Sequence, residues 1–409
     1  MGVTETGKMQ GQAARVFRRH VLYIPGYDPF PPRRYRELYR KEGTEQAAIS
    51  GYELSIRPRA GETYGWCVTS RMERPAEAEI EVLVWSDLVR ASMGRGISAT
   101  YAALARTAWV YGASGALWQL VRLRKGPMIA ALYPAVALAV QAALALVAGW
   151  LVLRFLPVPP VFGWASAGLV VWAVLEGFRR IDRRLYVHYL MHDFAYTAIA
   201  RGAYPQALDA RLSLFKGRVR AALASGVDEV LVVGHSSGVH LGVTVLADLL
   251  REGRPLDTAA QGPALAFLSL GQAVPMASFL PGATRLRGDL AYLSARDDLT
   301  WVDVSAPGDG CSFALCDPVA VSGVAPPGQR WPLVISAAFT LSLSPARWKA
   351  LRWRFFRLHF QYLCAFDTPR DYDYFRITAG PVTLADRYGG RAPSASRITR
   401  ALSPYRDVA

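Results

Sequence analysis

Residues 127–153, PMIAALYPAVALAVQAALALVAGWLVL, run for 27 positions without a formal charge. No other stretch of this chain restricts its possible folds as strongly. A helix crosses the hydrocarbon core of a bilayer with ~20 apolar residues, so this run is long enough to cross with tilt. Arg154 follows, then the turn LPVPP at 156–160 and a second apolar run, VFGWASAGLVVWAVL, at 161–175. The second run reaches spanning length only with Glu176, Gly177 and Phe178. Backbone polar groups in lipid must be satisfied within the segment. The expectation is therefore two helices joined by a Pro-rich turn, a transmembrane hairpin over residues 126–180.

The flanking charges orient it. Arg122, Arg124 and Lys125 precede the first run, and Arg179, Arg180, Arg183 and Arg184 follow the second. Cytoplasmic flanks carry the Lys/Arg excess, so both ends of the hairpin are expected in the cytoplasm, at the inner (cell) membrane, with the turn on the far side.

On either side of the hairpin the patterning is that of an α/β domain. Residues 20–25 (HVLYIP), 80–85 (IEVLVW), 229–233 (EVLVV) and 264–270 (ALAFLSL) are short, near-continuous apolar runs, as parallel strands buried on both faces require. Residues 52–57 and 64–70 alternate around a turn, and 299–305 reads as a further strand. Residues 31–48, 205–225, 238–251 and 280–295 have helical character. Strands alternating with helices imply a mostly parallel sheet with helices on both faces. Because 20–125 and 181–388 share this pattern, they are expected to form one domain interrupted by the hairpin. Residues 1–19 lack the apolar core of a secretory signal, and the polar, basic residues 389–409 are expected as a loose tail.

The net charge of +15 comes from 47 Lys+Arg against 32 Asp+Glu. Arg far outnumbers Lys, and no zinc-finger spacing, aromatic RNP-like strand or basic repeat accompanies the excess, so no nucleic-acid partner is expected. The four cysteines form no CxxC pair, and Cys311 and Cys316 lack the neighbouring His or Cys of a metal site. They read as thiols in a reducing compartment, and neither a metal nor a cofactor is expected.

Between the strand 229–233 and the helix from Gly238 stands Gly234-His235-Ser236-Ser237-Gly238, a G-x-S-x-G pattern. A nucleophilic serine needs a sharp strand-to-helix turn that exposes its Oγ, and glycines two positions either side let the two backbones approach. The helix N-terminus supplies amides and positive potential for an oxyanion. Residues 229–251, EVLVVGHSSGVHLGVTVLADLLR, resemble the nucleophile elbow of the α/β-hydrolase fold superfamily, which includes lipases, esterases and thioesterases. The resemblance in pattern covers about residues 20–90 and 190–370, and it names no substrate.

That family orders its residues Ser, acid, His. Of six histidines only His359 lies far downstream of Ser236, so the resemblance implies His359 as the base. The acid should follow the second strand after the elbow. Asp309, in the turn after 299–305, is the first choice, with Asp303 and Asp317 as alternatives. The oxyanion donors implied are the backbone N–H groups of Ser237 and of Tyr27, with Asp28 as the alternative to Tyr27, in a loop where Pro25 stands in place of the family's frequent His. The function expected is a membrane-anchored serine hydrolase acting on carboxylic ester or thioester bonds of a small molecule or lipid, through an acyl-enzyme. The alternative is a catalytically inactive membrane scaffold that keeps the hydrolase fold.

Overall fold

The computed structural model describes residues 16–61, 63–94, 96–253 and 262–409; residues 1–15 of the expected N-terminal segment lie outside them. The first apolar run forms β1 (Phe17–Ile24), followed by α1 (Arg33–Ser50), β2 (Glu53–Pro58), β3 (Gly65–Arg71) and β4 (Pro75–Val82). Helices α2 (Ser86–Ser92), α3 (Ile97–Ala113) and α4 (Ala116–Leu123) lead into the long pair α5 (Lys125–Phe155) and α6 (Pro160–Arg180). Then come α7 (Asp182–Leu185), α8 (Val187–Ile199), α9 (Gln206–Leu223), β5 (Glu229–His235), α10 (Gly238–Arg251), β6 (Ala264–Leu270), α11 (Val274–Ser278), α12 (Thr284–Ser294), β7 (Thr300–Ser305) and β8 (Leu333–Ser336).

One eight-stranded sheet joins both sides of the hairpin, in the order β2-β3-β4-β1-β5-β6-β7-β8. Within it only β3 runs against the rest, pairing antiparallel with β2 and β4. The other neighbouring pairs are parallel. The fold is thus α/β with a mixed, mostly parallel sheet. β5 is buried along its whole length, and its residues alternate between two cores. Leu231 and Val233 face Tyr23, Trp66, Ile80 and Tyr362, whereas Val230 and Val232 face Phe215, Leu246 and Trp301. A strand apolar on both sides cannot sit at a wet face, which is why its sequence shows a run and no alternation.

The parallel register aligns the carboxyl ends of the central strands. Ile24 lies beside Gly234, His235 beside Leu270, and Leu270 beside Val304. The loops beginning at Pro25, Ser236, Gly271 and Ala306 therefore open at one edge, where open α/β sheets carry their ligands.

Helices α5 and α6 are long and apolar enough to cross a membrane, with mean hydropathy 2.3 and 1.6 over their most apolar windows. They pack closely: a Cβ on Gly149 would lie 2.8 Å from Val171 Cγ2, so small residues set the approach. Most of their remaining surface is bare, including Leu146, Trp150, Phe155, Val161, Phe162 and Trp164. At its base α5 touches the domain. A Cβ on Gly126 would lie 3.7 Å from Gly310 Cα, and Met128 shares an apolar cluster with Phe313 and Cys316.

Residues 389–409 differ from the loose tail expected. Asp317 N–H donates to the Ile398 carbonyl, and Ser394 N–H donates to that of Val334. The buried guanidinium of Arg287 holds the Asp407 carbonyl at 2.7 Å and its carboxylate at 2.9 Å. A buried arginine needs such partners, and local sequence pattern carries no sign of a contact 120 residues away.

Candidate active site

Ser236 stands between β5 and α10 with φ +56°, in the left-handed region that side chains avoid. The glycines around it answer to packing. A Cβ on Gly234 would sit 2.8 Å from Val239 Cα, and one on Gly238 would sit 2.3 Å from the Ile24 carbonyl oxygen. Strand and helix thus approach to distances only glycine allows, and Ser236 takes up the turn between them. Its N–H donates to the Leu270 carbonyl at 2.9 Å, which ties the turn to β6.

His359 ends the short helix Phe355–His359 and lies at the same sheet edge. Its ring is 4.7 Å from that of His235, and a Cβ on Gly271 would be 3.2 Å from its Cε1. Its Nδ1–H donates to Asp309 Oδ2 at 2.8 Å. Asp309, 1% exposed, also accepts from the Tyr362 hydroxyl at 3.0 Å and from Cys311 N–H at 2.9 Å. Burial alone would push its carboxyl up; the neighbouring His359 and the hydrogen bonds outweigh that and hold it below the usual carboxylate range. Asp309 is therefore ionised and accepts from His359 Nδ1, and the buried Nε2 has no hydrogen-bond partner among the described residues.

The two alternative acids are engaged elsewhere. Asp303 accepts from Ser269 Oγ at 2.6 Å, and burial pushes it up to about 7. Asp317 caps the helix Pro318–Val321 through the N–H groups of Val319 and Ala320.

Ser237 opens α10, so its N–H is among the amides a helix start leaves without an intrahelical acceptor. The Tyr27 N–H donates to Ser237 Oγ at 2.9 Å. That amide is aimed at the elbow but occupied, and an oxyanion receives it only when the Ser237 hydroxyl turns away. Gly26 lies against the serine, where a Cβ would be 3.0 Å from Ser236 Cβ. The Tyr27 ring packs away among Trp85, Tyr189 and Tyr196, and the Tyr189 hydroxyl donates to the Tyr27 carbonyl. Helix α8, which follows the hairpin and packs on α3 and α5, thereby holds this loop.

Three contributors escape a reading of the sequence. Tyr362 links Ala306 N–H to Asp309, and nothing in FQYL marks it. His235 donates from Nε2 to the His359 carbonyl at 3.0 Å. Burial, with His359 beside it, presses His235 down to about 3, so it is neutral and fixes the backbone of its neighbour. Asp193 is a half-buried carboxyl on α8 within electrostatic reach of His359; burial pushes it up to about 7 against the pull of that histidine. The one signal for it is a lone acid within the apolar helix VHYLMHDFAYTAI.

Asp309, Cys311 and His359 also bring ligand atoms within 4.8 Å of one another. Burial and the Asp309 charge drive the Cys311 thiol well above its usual range, and a neutral thiol is a weak ligand. With Asp309 Oδ2 already accepting two hydrogen bonds, the donor set suits a His–carboxylate couple better than a metal. The arrangement offers a proton acceptor, Nε2, at the same sheet edge as a half-buried turn serine at the start of a helix. The chain matches no protein-family model, and no curated protein or solved structure is significantly similar to it.

Proposed function

We propose that this protein is a membrane-anchored serine hydrolase that cleaves carboxylic ester or thioester bonds, with lipidic acyl groups as the substrates its anchor favours. The observation that carries the proposal is the left-handed Ser236 at the sheet edge that also carries the hydrogen-bonded His359–Asp309 couple. This combination has the roles of the Ser-His-Asp arrangement of the α/β-hydrolase family that the elbow resembles. Ser236 Oγ attacks the acyl carbon while His359 Nε2 takes its proton, and Asp309 stabilises the imidazolium. The tetrahedral oxyanion receives the Ser237 N–H, joined by that of Tyr27 once the Ser237 hydroxyl rotates. Collapse expels the alcohol or thiol, which takes the proton from His359. Water, deprotonated by the same Nε2, then releases the acid and restores Ser236.

The exposed apolar faces of α5 and α6 support the anchor, since a core helix would bury them. The basic flanks support a cytoplasmic catalytic domain at the inner membrane. A catalytically inactive membrane scaffold is the competing reading. It is favoured by the occupied Tyr27 amide and by a His359 Nε2 with no hydrogen-bond partner among the described residues, although such contacts commonly tighten only with substrate bound. Hydrolysis of short-chain p-nitrophenyl esters and acyl thioesters by detergent-solubilised protein decides between them. The hydrolase reading expects turnover that disappears in Ser236→Ala and His359→Ala at unchanged melting temperature. Turnover equal in all three proteins, or absent from the wild type for esters and thioesters of every chain length, overturns it.

A further inference from the structure

The segment leading to His359 carries more positive charge than the domain uses. Helix Pro345–Leu351, the linker Arg352-Trp353-Arg354 and helix Phe355–His359 hold five cations between positions 347 and 357. Two are engaged: Arg347 pairs with Glu45 and Asp367, and Arg357 with Glu42. Lys349, Arg352 and Arg354 are exposed and have no ion pair among the described residues. Between them stand Trp353, 73% exposed, and Phe355, 47% exposed. The Arg352 guanidinium lies 5.6 Å from the Trp353 ring centroid. One exposed aromatic is ordinary, but two set among three unpaired cations have the composition of a headgroup-level membrane contact.

Position within the fold agrees. A Cβ on Gly310 would lie 3.4 Å from Phe355 Cδ1, and Gly310 is also the residue that Gly126, in the first turn of α5, approaches. Phe355 and the base of the long apolar helix thus meet at one glycine, beside Asp309. Resting on the reading of α5 and α6 as a membrane hairpin, we propose that residues 349–355 form a second bilayer contact. It docks on the anionic headgroups of the leaflet that α5 enters, and so holds the His359 helix at the lipid surface. Each cation near an anionic leaflet adds attraction that fades within a Debye length, so the contact is selective for acidic lipid and weakened by salt.

The test uses the full chain with its native cysteines replaced, in nanodiscs of phosphatidylcholine or of an equimolar mixture with phosphatidylglycerol. Bimane is attached at Ala350→Cys or, separately, at Val147→Cys on the bare face of α5, and is quenched by nitroxide-bearing lipid. The proposal expects quenching at 147 in both membranes. At 350 it expects quenching several-fold stronger with phosphatidylglycerol, reduced by high salt and lost in Arg352→Glu/Arg354→Glu. Quenching at 147 with none at 350, equal quenching at 350 in both membranes, or a shifted emission at 350 without lipid quenching, as a protein partner would cause, overturns the docking surface alone. No quenching at either position overturns the hairpin reading and this proposal with it.

Discussion

At Ser236 a left-handed backbone costs a residue with a side chain about 1–3 kcal/mol, which the tight strand–helix approach must hold in place. Around it, acids differ in role because their environments differ. Asp309→Asn should lower kcat by ~10³–10⁴-fold, since the amide cannot stabilise the imidazolium and favours the wrong tautomer. Asp317→Asn should leave kcat within a few-fold, because that carboxylate serves a helix start. Steady-state kinetics on both variants checks the ranking. Asp193 makes a pH prediction. Its raised value means the folded protein keeps a proton that the unfolded chain loses above about pH 4. Its contribution to stability therefore falls as pH rises from about 4 to about 7. Asp193→Asn should gain stability over wild type across that window, reaching roughly 1–3 kcal/mol above pH 7.5, in denaturant titrations at several pH values. The place of the G-x-S-x-G turn between β5 and α10 and the contact of His359 with Asp309 were legible because motif, chain order and strand ends constrain them. The hydroxyl occupying the Tyr27 amide was not, because its geometry is set by rotamers.

Buried strands announced themselves. β1, β5 and β6 lie within a few residues of the apolar runs, since strands covered on both faces admit little else, whereas β4 begins at Pro75 and ends at Val82, three residues short of the end of the run at 80–85. β8 escaped notice: four residues, LVIS, carry no periodicity, and its place depends on pairing with β7. Helices α3 and α8 likewise owe their places to packing on each other and on the hairpin. In residues 389–409 a polar, basic composition hides long-range anchors. Removing residues 405–409 strips Arg287 of the Asp407 carbonyl and carboxylate. Arg287 keeps the carbonyls of Ser278, Leu280 and Pro281, so losing the half-exposed Asp407 should cost roughly 1–3 kcal/mol, seen as a lowered urea midpoint at unchanged slope.

For the whole molecule, one sheet shared by the chain before and after the hairpin requires both parts on the same side of a membrane. The hairpin therefore crosses twice or not at all. Cysteine introduced at Val158 should react with a membrane-impermeant maleimide in intact cells, while one at Ser396 reacts only after permeabilisation, in a background without the native four. Labelling at 396 in intact cells contradicts the orientation. The central claim is that this domain carries an activated serine, and it is tested most directly by intact-protein mass spectrometry after treatment with a fluorophosphonate. A single adduct that maps to Ser236, absent from Ser236→Ala and slowed in His359→Ala, is the predicted result. An unmodified wild type, or an adduct that persists in Ser236→Ala, contradicts the account.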